Sequence, residues 1–73
     1  MQRNEQTVFI LYKNYQNFIG VREIQPLEWY YGNSKYHPEP QWLLRAYDFE
    51  KQEERSFAVK DIRAWWDKHD VRS

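Results

Sequence analysis

The sequence predicts a mainly β fold: one small, partly open barrel of five short strands, followed by a short C-terminal helix. Three observations predict it. Apolar and aromatic residues gather in runs of five to eight, too short for ordinary helices. Turn-forming residues separate those runs. Finally, 19% of the 73 residues are Phe, Trp or Tyr. Each such ring can bury about 150–250 Å², which suits a domain whose core must be small. The length allows one domain spanning residues 1–73.

The first strand is Thr7 to Tyr12 (TVFILY), β-branched and aromatic throughout. Val8, Ile10 and Tyr12 share one face, and Phe9 and Leu11 the other. Apolar residues on both faces predict a central strand, or one capped by the C-terminal segment. Lys13 to Phe18 is polar, with two Asn, and reads as a turn. Ile19 to Gln25 is the second strand, with Pro26 marking an end or bend. Leu27 to Tyr31 is the third, closed by Gly32 and Asn33. Residues 32 to 40 (GNSKYHPEP) read as a loop whose prolines hold His37 and Glu39 extended. Gln41 to Asp48 is the fourth strand, with Trp42, Leu44 and Ala46 on one face and Leu43, Arg45 and Tyr47 on the other. Phe49 to Glu53 is a charged turn, and Arg55 to Val59 the fifth strand. Asp61 is then placed to cap a helix. Ile62, Trp65, Trp66 and His69 recur at helical spacing, predicting a helix from Ile62 to about His69. No repeat or linker divides the chain.

Composition narrows the function classes. Without cysteine there is no disulfide, thiolate metal site or cysteine nucleophile. A cysteine-free domain this short points to the cytoplasm. No apolar run approaches the ~18 residues of a membrane span, and the polar start MQRNEQ is no signal peptide. Eleven basic residues balance eleven acidic ones, so the excess cation expected of a nucleic-acid binder is missing. There is no Gly-rich phosphate loop, nucleophile elbow or kinase signature.

Three segments fall in a telling order: Arg22-Glu23-Ile24-Gln25-Pro26, then Trp42-Leu43-Leu44-Arg45-Ala46-Tyr47-Asp48, then Arg55-Ser56-Phe57 before Asp61-Ile62. Over roughly Val8 to Ile62 they make the chain resemble the WYL domain of bacteria and their phages. The resemblance implies a barrel similar to SH3 and Sm folds. It also implies a regulatory module that senses nucleic-acid-derived or other small ligands on a basic, aromatic surface. Ligand contacts would fall at Tyr12, Arg22, Trp42 and Arg55. The chain departs from the family pattern at Leu43, where the middle Tyr of the tripeptide is expected, and at Ala58 and Asp61, where Arg is frequent. The basic surface is correspondingly depleted.

Arg22, Arg45 and Arg55 come from three strands. They either clamp a phosphate or carboxylate or form cross-strand ion pairs with Glu23, Glu28 and Asp48. Trp42, Phe57 and Tyr12 are expected to fill the core. Tyr30, Tyr31 and Tyr36, flanking the proline loop with His37, are expected to be exposed and to meet a partner. Of Trp65 and Trp66, one should pack on the sheet and the other sit at a boundary, unless both cover the open barrel end. His37 beside Glu39 is an acid–base pair in principle, without a nucleophile to serve. Two histidines and no cysteine make a metal site or cofactor improbable. The leading expectation is a non-enzymatic module that binds an anionic or nucleotide-like ligand. A protein-interaction adaptor or inhibitor, phage-encoded in one version, comes second. Weak RNA or single-stranded DNA binding is third. Homo-oligomerisation is left open.

Overall fold

The computed structural model describes residues 7–14 and 16–67. Five antiparallel strands form one sheet: β1 (Val8–Lys13), β2 (Ile19–Ser34), β3 (His37–Asp48), β4 (Glu53–Ala58) and β5 (Ile62–Asp67). Their order is β4-β3-β2-β1-β5, so β1 is internal, as its two apolar faces predict. The sheet is not closed, yet it curls strongly. Its opposite edges, β4 and β5, are joined only by the 3-10 turn Val59–Asp61. In a flat sheet β1 and β4 would lie about 14 Å apart, three strand spacings of ~4.8 Å. Instead the rings of Tyr12 and Phe57 meet edge-to-face with centroids 4.9 Å apart.

The interior so enclosed holds Val8, Ile10, Tyr12, Ile24, Leu44, Ala46 and Phe57, flanked by Val59 and Ile62. Burial of each large apolar side chain among them contributes about 1.5–3 kcal/mol. Leu43 is buried on the other face of β3, in register between Tyr30 and Ala58.

Four readings of the sequence are corrected here. The second and third predicted strands are one strand, β2, which runs through Pro26. The register slips between Pro26 and Glu28, leaving Leu27 without a partner. This β-bulge absorbs the missing proline N–H and bends the strand instead of ending it. The predicted loop 32–40 shrinks to the turn Lys35-Tyr36, because Ser34 pairs directly with His37. β4 pairs with β3 only from Leu43 onward, so one edge of β3 is open over Pro38–Pro40, where a residue without N–H is tolerated.

The predicted helix is the strand β5 over Ile62–Asp67, and Asp61 ends the 3-10 turn without capping anything. β1 offers β5 an open edge for a ladder broken only at Arg63, which a helix of two turns could not match. Lys68 and His69 lie outside the described residues. Lastly, Trp42 is not core: it is 57% exposed.

Side chains tie the turns. Asn14 Oδ1 accepts the N–H groups of Gln16 and Phe18 at 2.9 and 3.0 Å, and Asn17 takes positive φ. Between β3 and β4, the buried Asp48 accepts the N–H groups of Glu50 and Lys51 through Oδ1.

Candidate functional site

The curl of the sheet brings the tip of the β2–β3 hairpin against the end of β1 and the length of β4. A cleft of about 330 Å³ opens there, lined among others by Tyr12, Lys35, Tyr36, His37, Arg45 and Arg55. A shallower hollow continues from it past Tyr36 and His37 to Lys60 and Asp61. Five residues singled out from the sequence therefore line one cavity: Tyr12, Arg45, Arg55, Tyr36 and His37. Arg22 and Trp42 do not line it.

Each of the three arginines singled out, Arg22, Arg45 and Arg55, is tied to at least one carboxylate. Arg22 donates to Glu50 at 2.9 Å, with Glu50 on the turn after β3. Arg22 Nε is buried without an acceptor. Arg45 bridges Glu54 at 2.7 Å and Glu28 at 3.2 Å on the neighbouring strands, which raises its pKa and keeps it cationic. Arg55 donates to Asp48 Oδ2 at 3.3 Å. That single bond anchors Arg55 and leaves most of its five N–H donors uncommitted to Asp48. Its guanidinium also lies over the Phe57 ring, 5.7 Å from the centroid. Lys35 sits over the ring of Tyr36 at 5.5 Å.

Tyr12 reaches the cleft as part of the core. Its Oη accepts the N–H of Ala58 at 2.9 Å. Burial pushes its pKa above the usual 10, a rise that the Ala58 bond partly opposes. His37 Nδ1 is hydrogen-bonded to Ser34 Oγ at 3.2 Å across the tight turn. Burial lowers the His37 pKa below 6.5; Asp61 works against that lowering and Lys60 with it. The imidazole is therefore held neutral, able to donate at one nitrogen and accept at the other.

The other candidates fall elsewhere. Tyr30 is not exposed as expected: its hydroxyl is hydrogen-bonded to Ser56 Oγ at 2.8 Å in a half-buried position. Tyr31 meets Trp42 edge-to-face at 5.6 Å. Trp66 stacks on Phe9 at 5.9 Å and Trp65 on Trp29 at 5.7 Å. The adjacent tryptophans thus point to opposite faces, as strand residues must. Sequence reasoning did not pick out Ser34 and Lys35, or the exposed Trp29. Ser34 and Lys35 lie within the stretch read as a loop but were given no role in it, and the placement of Trp29 depends on the bulge, which carries no local signature beyond Pro26.

Among the described residues no cluster of His, Asp or Glu is arranged to hold a metal ion, and no helix is long and apolar enough to cross a membrane. No family model, no curated protein and no solved structure matches the chain.

Proposed function

We propose that this chain is a non-enzymatic, regulatory ligand-binding module, resembling the WYL domain and its SH3- and Sm-like barrels, that takes an anionic or nucleotide-like ligand in the cleft beneath the β2–β3 tip. One observation carries the reading. Tyr12, Arg45 and Arg55, chosen from the sequence for that role, converge with Tyr36 and His37 on a single cavity of ligand size. The chemistry fits a flat anion. Arg55, fixed by Asp48, and Lys35 supply positive charge. The exposed Tyr36 ring supplies a face for stacking, and the neutral imidazole of His37 can hydrogen-bond a base edge. Glu53 and Glu54 at the rim would disfavour a polyanion, so a singly phosphorylated or carboxylated ligand suits the cleft better than a nucleic-acid strand.

The test is titration calorimetry with a panel of nucleoside monophosphates and inorganic phosphate. Saturable one-to-one binding is expected for at least one nucleotide. Lys35→Ala and Tyr36→Ser, both at exposed turn positions, should each weaken it ten-fold or more. Arg22→Gln, outside the cleft, should leave affinity unchanged. Absence of saturable heat for the whole panel at millimolar ligand would reject the reading.

A further inference from the structure

A second surface owes nothing to the cleft. The bulge at Leu27 shifts the alternation of β2 by one residue, so Trp29 falls in register with the buried Leu44 and Tyr31 with Trp42. Residues opposed in register share a face, and Trp29 and Tyr31, two apart on one strand, share it too. Trp65, in register with Ile10, reaches from β5 onto Trp29, with ring centroids 5.7 Å apart and planes 30° from parallel. Tyr31 and Trp42 meet at 5.6 Å with their planes at 71°. Four rings therefore form one stripe, Trp65, Trp29, Tyr31 and Trp42, with a near-flat pair at one end and a corner at the other. All stay largely in solvent, at 41%, 52%, 61% and 57% exposure. Scattered exposed rings need no explanation, but a contiguous patch marks an interaction site.

Charge and area restrict the occupant. The arginines of β2, β3 and β4 are engaged by Glu28, Asp48, Glu50 and Glu54. Two charged side chains of β5 are not: Arg63 and Asp67, both exposed, stand two residues before and two after Trp65. Neither has an ion-pair or hydrogen-bond partner among the described residues. Their charges cancel, so the stripe and its rim are neutral. One free guanidinium is too little for a phosphate backbone, whose affinity rises with each cation that meets it. At about 150–250 Å² per whole ring, four half-exposed rings present roughly 400 Å². A stable interface between folded proteins takes about 800 Å² from each partner. An extended peptide is held by backbone bonds at a sheet edge, and this stripe lies on a face. What it offers is ring faces with polar groups of both kinds around them. Among the described residues, no acceptor lies on the indole N–H groups of Trp29, Trp42 and Trp65; Arg63 adds further donors and Asp67 acceptors. A pyranose ring is the matching shape. Its C–H groups, slightly positive, lie against the negative face of an aromatic ring, and its hydroxyls both donate and accept around the edge. The unit is rigid, so it loses little entropy on binding.

We infer that the Trp65–Trp29–Tyr31–Trp42 stripe binds a single chain of a neutral, β-linked oligosaccharide. The ring steps of 5.7 and 5.6 Å at its two ends are close to the length of one pyranose unit in an extended chain. Equatorial β-linkages keep the chain extended along the stripe, whereas α-linked glucose units curve away from it. Trp65 and Trp29 form the floor for one end of the chain, with hydroxyls bonded to Arg63 and Asp67. The corner of Tyr31 and Trp42 encloses the other end, which the flat face of a crystalline polymer could not enter.

The experiment titrates ¹⁵N-labelled full-length protein with cellotetraose, chitotetraose and mannotetraose, alongside maltotetraose, tetragalacturonate and free glucose. Saturable shifts of the Trp29, Trp42 and Trp65 indole signals are expected with at least one of the three neutral β-linked chains, and not with maltotetraose or glucose. Trp42→Ser and Tyr31→Ser should each weaken binding at least ten-fold while the melting temperature holds. Lys35→Ala, a cleft variant, should leave sugar binding intact, so this inference and the cleft reading fail separately. No saturable shift with any neutral β-linked chain at millimolar ligand would overturn the inference. So would equal binding of maltotetraose, saturation of the same indoles only by tetragalacturonate or by oligothymidylate, or a dimer by sedimentation that buries them.

Discussion

Asp48 shows how much a single residue does in a chain of this size. It is the one buried charged side chain among the described residues. Its two oxygens serve different masters: Oδ1 ties the β3–β4 turn through Glu50 and Lys51, and Oδ2 holds Arg55 over Phe57. Removing such a carboxylate strands a half-buried guanidinium and two backbone donors at once. Asp48→Ala should therefore lower the unfolding free energy by about 3 kcal/mol in denaturant titration. Asp48→Asn keeps an acceptor for the turn and should cost clearly less. Equal losses in the two variants would show that the turn bonds contribute nothing. If the protein takes a ligand in the cleft, both substitutions should also weaken it, because Arg55 loses its anchor.

At the level of elements, β2 decides the architecture. Its sixteen residues serve both halves of the curl, and the bulge at Leu27 is the joint. One residue more or fewer in a strand swaps its two faces. Leu27 is the surplus residue: were it paired with Arg45, Glu28 would stand in register with Leu44 in place of Trp29, setting a carboxylate against the core. Deletion of Leu27 leaves Pro26 opposite Ala46 and Glu28 opposite Arg45, so it should keep cooperative thermal unfolding and a dispersed amide spectrum while removing the bend, and should lower the midpoint through the lost curl. Leu27→Ser, which keeps the residue count at an exposed position, should shift the midpoint by only a few degrees. A deletion variant that no longer melts cooperatively would show that the bulge itself, and not only the register, is needed for the fold.

For the molecule as a whole, the curl sets the electrostatics as well as the packing. His37 lies at the start of β3, yet it feels Lys60 and Asp61, in the 3-10 turn that carries the chain on from β4 along the edge of β3. Burial lowers its pKa below the unfolded value of 6.5, so below neutral pH the unfolded chain binds more protons at this site than the folded one. The contribution of neutral His37 is present above pH 6.5 and is lost as the pH falls through the folded pKa. Denaturant midpoints of the parent chain should accordingly drop further between pH 7 and pH 5 than those of His37→Gln. Parallel curves for the two would mean that the imidazole is as well solvated in the folded state as in the unfolded one.

How much of this was legible beforehand depends on the range of the physics involved. Alternation of apolar residues is a local property with a period of two, and it sufficed for the β class, for β1 as an internal strand, and for Tyr12 and Phe57 as core. Turn chemistry, also local, marked the β1–β2 and β3–β4 connections. The cleft was partly legible because Tyr12, Arg45 and Arg55 were picked one by one; Arg45–Glu28 and Arg55–Asp48 are among the cross-strand ion pairs the sequence offered, whereas Glu50 and Glu54 as partners are not. The tertiary structure alone decided the rest. Whether Ile62–Asp67 winds or extends turns on the free edge of β1. Whether Pro26 ends a strand or bends it turns on a bulge against β3. Whether Trp42 is buried turns on where the curl stops, and it stops before the Tyr31–Trp42 pair. Each of these is settled by the strand that lies alongside, and a chain read residue by residue does not reveal its neighbours.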